Sequence, residues 1–130
     1  MFSHVMIGTN DIEESKMFYD KLFEALGSGP GKMYPNLTGQ KRYFYYFNGS
    51  SFVITQPIDG NPATVANGST IGFNLESTEQ GDAWHKAGIN NGGKSIEEPP
   101  GIRDYEKLSM YLAYLTDPTG HKLCAAMIID

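Results

Sequence analysis

The side chains with the most reactive chemistry fall at opposite ends of this 130-residue chain. His4 stands in the opening strand-like run, and the single cysteine, Cys124, in the closing one. Successive residues of a strand point to opposite faces. If Val5 and Ile7 face a packed helix, His4, Met6 and Gly8 face away. The same rule sends Phe44, Tyr46, Val53, Thr55, Thr70, Tyr111, Ala113 and Cys124 to that outward face. A surface carrying His4, Met6, Phe44, Tyr46, Val53, Thr70, Tyr111 and Cys124 is apolar and aromatic with a few hydrogen-bonding groups. That is the composition of a small-molecule pocket, and also of the filled interior of a small barrel. Phe44, Tyr46 and Tyr111 offer stacking; His4 and Thr70 offer hydrogen bonds. His4 beside Cys124 would make a thiol–imidazole pair, the arrangement of an activated nucleophile; without that contact a buried cysteine is a small hydrophobe. Arg103 follows a rigid Pro99-Pro100-Gly101. From a loop over residues 99–105 it would cover one end of the cavity and present a cation to an anionic ligand, though a solvated loop accounts for it equally well. His85, beside Trp84, reads as helix surface, and His121 as turn polarity. No phosphate-binding loop, dinucleotide fingerprint or serine-hydrolase elbow is present.

The elements that would position these residues come in two similar sets, at an offset of 66 residues, the separation of His4 and Thr70. Asp11 then falls on Ser77, both good helix N-caps. Glu14 falls on Gln80, completing a capping box in each copy; Phe18 falls on Trp84 and Gly27 on Gly93. In the first set a strand over 3–9 leads to a helix over 12–26 with Phe18, Leu22 and Ala25 on one stripe. The aromatic run 41–47 is strongly strand-like. Asn48-Gly49 is a two-residue hairpin signal, and 51–56 is the return strand. In the second set a strand over 69–75 and a helix over 78–90 precede a short strand near 94–97. Strands over 109–116 and 121–128 then flank an Asp117-Pro118-Thr119-Gly120 turn. The fold class is α+β: one domain over residues 1–130, made of two tandem βαβββ modules, about 1–57 and 69–130, with a Pro- and Gly-rich linker over 58–68. A duplicated module makes a pseudo-twofold object whose natural ligand site is the concave surface between its halves.

Composition narrows the partners. Forty per cent hydrophobic and 19% charged residues describe a globular domain with a real core. A net charge of −5 with ten scattered basic residues argues against nucleic acid or an anionic membrane. No apolar run approaches the ~20 residues needed to cross a bilayer, and Met1-Phe2-Ser3-His4 does not open a secretory signal. One cysteine excludes an internal disulfide and fits a reducing compartment, so the expected location is cytoplasmic.

The chain resembles the vicinal oxygen chelate superfamily, which includes glyoxalase I, bleomycin-resistance proteins and extradiol dioxygenases. The matching features are His4 in the opening strand, Asn10-Asp11-Ile12-Glu13-Glu14-Ser15 with Phe18-Tyr19, and Asp117-Pro118-Thr119-Gly120-His121-Lys122-Leu123. The last is close to the family's D-P-D-G-[NH]-K pattern. The resemblance spans nearly the whole chain and implies a glyoxalase-like fold: a curved mixed sheet around a concave ligand cavity. It implies no single reaction, because the superfamily hosts many chemistries. Its enzymes hold one divalent metal through four strand positions, which fall here on His4, Val53, Thr70 and Cys124, the last where the family has glutamate. Of these only His4 is a good ligand as it stands. The resemblance therefore implies a protein that binds a small organic molecule without a metal cofactor. The alternatives are a lyase, isomerase or dioxygenase using Zn, Ni, Mn or Fe through another ligand set, with the register shifted so that Gln56, Asn74 or Glu76 takes part, and a paralogue kept as a structural or regulatory dimer. A homodimer is expected, since relatives that resemble this chain pair their modules across a twofold axis.

Overall fold

The computed structural model describes residues 1–129. Chain order is β1 (His4–Gly8), α1 (Ile12–Glu24), β2 (Lys32–Met33), β3 (Arg42–Phe47), β4 (Ser50–Thr55), β5 (Ile71–Asn74), α2 (Thr78–Asn90), β6 (Lys94–Ser95), β7 (Gly101–Asp104), β8 (Ser109–Thr116) and β9 (Lys122–Ile129). The strands form two mixed sheets, β1-β4-β3-β2 and β5-β9-β8-β6, with β7 also on β8. In each, the opening strand runs parallel to the closing one, β1 with β4 and β5 with β9. The architecture is the expected α+β one, with no closed barrel.

Local chemistry explains the elements. The Asp11 carboxylate accepts the Glu14 amide, and the Ser77 hydroxyl accepts the Gln80 amide, capping α1 and α2. In α2 the return arm of the box is Gln80 Oε1, which accepts the Glu76 amide at 2.7 Å, one residue before the cap. Asn48 and Gly49 both take positive φ, 54° and 83°, as a tight hairpin demands. One expected loop is a strand: residues 101–104 of the 99–105 segment form β7. Both β6 and β7 pair with β8. They act as one edge strand interrupted at Pro99 and Pro100, which have no N–H to give a ladder.

The helices and both sheets share one core. Phe18, Tyr19, Leu22 and Phe23 of α1 and Trp84 of α2 pack with Tyr45, Phe52, Ile54, Leu115, Leu123 and Ala125. Phe73 joins the modules, its ring 5.2 Å from Phe23, 5.7 Å from Phe52 and 6.3 Å from Trp84. Trp84 is sealed from solvent, and its indole N–H has no hydrogen-bond partner among the described residues. Buried tyrosines tie helices and strands together through carboxylates. Tyr43 donates to Glu13 at 2.7 Å, Tyr45 to Asp20 at 2.7 Å, Tyr111 to Asp82 at 2.6 Å and Tyr19 to Asp117 at 2.6 Å. Burial, reinforced by these acids, pushes the Tyr19, Tyr45 and Tyr111 phenols up. Asp117 is a hub between the modules. Its Oδ2 takes the Tyr19 hydroxyl of α1, while Oδ1 takes the amides of Thr119, Gly120 and His121 at 3.0, 2.8 and 2.9 Å.

Candidate functional site

The register of the last hairpin corrects one expected face. Tyr111 stands opposite Met127, Ala113 opposite Ala125, and Cys124 opposite Tyr114. Tyr111 and Ala113 therefore lie on the helix face, in the core, and Tyr114 takes the place beside Cys124. The physical reason is turn length. The loop Asp117–His121 is closed by Asp117 N–H donating to His121 O at 2.9 Å, so Thr116 pairs with Lys122. A count one residue different turns every side chain of one strand over.

The other expected site residues do not converge. His4 is exposed, with Nδ1 2.8 Å from Ser3 Oγ. It lines a cleft of about 370 Å³ where the opening ends of β1 and β4 meet β5. Val5, Leu26, Phe47, Phe52, Ile71 and Phe73 give this cleft apolar walls, and Asn48, Ser50, Ser51 and Asn74 add polar groups beside His4. Thr70 is exposed just ahead of β5. Phe44 and Tyr46 line a separate hollow with Lys32 and Tyr34, on the outer strands of the first sheet. Arg103 is spent on its own backbone: its guanidinium donates to the carbonyls of Glu98, Pro99, Gly101 and Leu112 at 2.8–3.1 Å. It pins the Pro-Pro segment rather than presenting a free cation. Burial pushes the Cys124 thiol up, against a contact from Tyr114 that pulls it down, so the thiolate a nucleophile needs is disfavoured. His85 Nε2 meets Ser95 Oγ at 3.1 Å, and His121 Nε2 donates to Gly8 O at 2.7 Å, tying β9 to the end of β1.

Phe47 is a cleft residue that sequence reasoning missed, whereas strand alternation already places Gly72 and Asn74 on the face of Thr70. Gly72 carried a signal: a glycine inside a strand leaves room where a side chain would stand. A Cβ built on Gly72 meets nothing within 4 Å. A larger hollow, about 570 Å³, lies by Asn10, Gln40, Gln56 and Asn61. Its amides already work locally. Asn10 clamps Ala63, accepting its N–H at 2.7 Å and donating to its carbonyl at 3.3 Å, and Gln56 accepts the Lys41 amide at 2.9 Å.

Strand parity tests the metal that the resemblance implies. The face of β1 away from the helices carries His4, Met6 and Gly8; that of β4, Ser51, Val53 and Thr55; that of β5, Gly72 and Asn74; that of β9, Lys122, Cys124, Ala126 and Ile128. Among the described residues of these four strands no carboxylate stands on it; Glu76, of the same parity, lies beyond the end of β5, and shifting a family position by two residues supplies none. Among the described residues no group of three His, Cys, Asp or Glu is placed to hold a metal ion. A catalytic divalent centre needs about three such ligands and an open position, so this donor set does not fit one. No helix among the described residues is long and apolar enough to cross a membrane.

Comparison with known proteins agrees with this architecture. The model of the Glyoxalase/Bleomycin resistance protein/Dioxygenase superfamily matches residues 1–125. No curated protein matches the chain. A glyoxalase/bleomycin resistance protein from Albidiferax ferrireducens T118 is 56% identical, with a TM-score of 0.88 over 97% of this chain and 98% of that one. A glyoxalase/bleomycin resistance protein/dioxygenase family enzyme from Burkholderia phytofirmans PsJN superposes with a TM-score of 0.70 at 16% identity, covering 98% of each chain. A mutant fosfomycin resistance protein from Listeria monocytogenes, complexed with Mn(II) and a dihydroxypropylphosphonic acid, gives 0.67 at 16% identity, over 96% of this chain and 90% of that one. The latter two show the fold alone.

Proposed function

The chain belongs to the glyoxalase/bleomycin resistance protein/dioxygenase superfamily, and from that premise we propose that it binds a small organic molecule without a divalent metal. The observation that carries this reading is that, among the described residues, no carboxylate stands on the metal-position face of β1, β4, β5 and β9. Without a metal to polarise a carbonyl or acidify a water, glyoxalase-type proton transfer loses its electrophile. What remains suits binding. The cleft at His4 is within the size range of small-molecule sites, walled by apolar side chains, with a few polar groups to fix orientation.

The test uses purified protein prepared without chelator. Elemental analysis is expected to find far less than one Mn, Fe, Ni or Zn per chain, and adding each metal is expected to produce no methylglyoxal–thiol activity. A thermal-shift screen then seeks the ligand, which at roughly 100 times its Kd adds about 2.7 kcal/mol of stability. Gly72→Leu, whose Cβ has open space around it, projects into the cleft and is expected to abolish that shift while leaving the melting temperature of the free protein nearly unchanged. One tightly held metal per chain, lost with activity on His4→Ala, overturns the reading in favour of a metal-dependent lyase.

We also propose a homodimer. β1 and β5 are open edges, and unpaired edges call for cover. Ile102, Leu108 and Ile128 are exposed at one end of the second sheet. Sedimentation at roughly tens of micromolar, where most stable dimers persist, is expected to give a dimer; monomer alone refutes this.

A further inference from the structure

The outer strands of the first sheet carry a cluster that the cleft does not use. Lys32 of β2 stands directly opposite Phe44 of β3, and directly opposed residues of an antiparallel pair share a face. Tyr34, two residues beyond Lys32, meets the Phe44 ring edge-on at 5.6 Å. Tyr46, two residues beyond Phe44, shares that face. Tyr46 is 71% exposed and Tyr34 57%, so two phenol rings stand in water beside a half-buried phenyl. Together with Lys32 and Ser28–Pro30 they bound a hollow of about 340 Å³.

Its wall is pinned in place. The Gly31 N–H donates to Asp20 Oδ1 at 2.9 Å, and the Tyr45 hydroxyl donates to the same oxygen at 2.7 Å. A Cβ on Gly31 would lie 2.7 Å from the Tyr45 ring. The segment over 28–31 is thus held against α1 by the only residue type that fits there, and a preformed wall costs a ligand little ordering entropy.

Charge gives the second observation. The chain is acidic overall, at −5. Lys32 and Arg42, the latter two residues before Phe44 on the same face, are, like most basic residues of the chain, without a carboxylate at ion-pair distance among the described residues, which leaves the Lys32 ammonium free at the rim of the hollow. Arg42 Nε only meets Thr55 Oγ1, at 3.3 Å.

We propose that this hollow binds a planar aromatic carboxylate, its ring packed among Tyr34, Phe44 and Tyr46 and its carboxylate at Lys32. The ring edges and faces supply oriented aromatic contacts, and the unpaired ammonium selects the anion. The site is separate from the cleft at His4 and does not rest on the reading given for it.

Naphthoate, naphthylmethanol and cyclohexanecarboxylate are suitable probes, followed by amide NMR titration of the full chain. Naphthoate is expected to saturate a site whose shifts centre on residues 28–34 and 42–46. The neutral aromatic and the non-aromatic acid each bind about threefold more weakly or worse. Tyr46→Ala, at an exposed position that leaves the fold intact, weakens naphthoate about fivefold. Lys32→Met removes the preference of naphthoate over naphthylmethanol, as does high salt. The proposal fails if naphthoate shifts centre on His4 and Gly72 and vanish with Gly72→Leu, since the cleft is then the site. It also fails if Tyr46→Ala and Lys32→Met leave naphthoate binding unchanged. If Tyr46→Ala instead turns a dimer into monomer with naphthoate affinity intact, the face belongs to a second copy.

Discussion

Asp117→Ala is expected to cost about 4 kcal/mol of stability, a large fraction of the ~5–15 kcal/mol that holds an ordinary domain. The figure follows from what one carboxylate holds. Tyr19 is fully buried and donates its hydroxyl to Asp117 at 2.6 Å. Leaving a buried donor unpaired costs about 1–3 kcal/mol, and hydrogen bonds to a charged group contribute about 1.5–3 kcal/mol. The three turn amides on Oδ1 are half-exposed and recover part of their loss from water. The hub also ties α1 of the first module to the β8–β9 turn of the second, so its loss loosens the packing between halves. Tyr19→Phe isolates one arm. The ring contacts with Phe18, Phe23 and Phe52 stay, and the expected cost is about 2 kcal/mol. Urea denaturation measures both. An Asp117→Ala cost below about 1 kcal/mol, the scale of an ordinary neutral hydrogen bond, refutes the hub.

Gly81→Ala is the second large effect, and its sign runs against helix propensity. Gly81 lies within α2, where alanine is normally better by about 1 kcal/mol. Here the added Cβ would stand 2.7 Å from Tyr111 Cζ and 2.8 Å from Leu75 Cδ1, and nearer still to the Tyr111 ring edge. Overpacking of this kind costs about 1–3 kcal/mol. It also pushes the Tyr111 hydroxyl off Asp82, a charge-assisted bond of 2.6 Å. The net expectation is a loss of about 2–3 kcal/mol. Gly88→Ala is the control on the same helix. Its nearest neighbours are the terminal methyls of Leu115 and Leu22, which move by small rotations, so propensity and crowding nearly cancel there. Equal effects at the two glycines would show that the Tyr111–Gly81 contact is not tight.

The same tyrosine marks where the sequence stops being legible. Both helix starts could be read from Asp11 and Ser77, because a cap is a bond across three residues. The bounds of α2 and β8 followed equally well from local periodicity. The face of Tyr111 could not be read that way, because it depends on whether the Asp117 turn closes with four residues or five. β2 and β7 escaped notice for another reason. Strands of two and four residues are ordered by the neighbours they pair with, Phe44 and Tyr43 for one, and Ser109 to Leu112 for the other. For the site, the residue types were legible and the grouping was not. His4 shares its cleft with Gly72 and Asn74 only because Phe73 docks against Phe23 and Phe52. Those contacts join β5 to α1 and β4, about fifty and twenty residues earlier in sequence, beyond any local pattern.

Trp84 gives the protein a built-in optical gauge. It is the only tryptophan in the chain, dry on every side and, among the described residues, without a partner for its N–H. Its fluorescence therefore comes from a single apolar environment, at the blue end of the indole range, and any opening of the core that admits water moves it to the red. Phe73, whose ring centre is 6.3 Å away, is also a wall of the cleft at His4. One unlabelled emission band thus reports both the integrity of the joint between modules and movement of the cleft wall beside it.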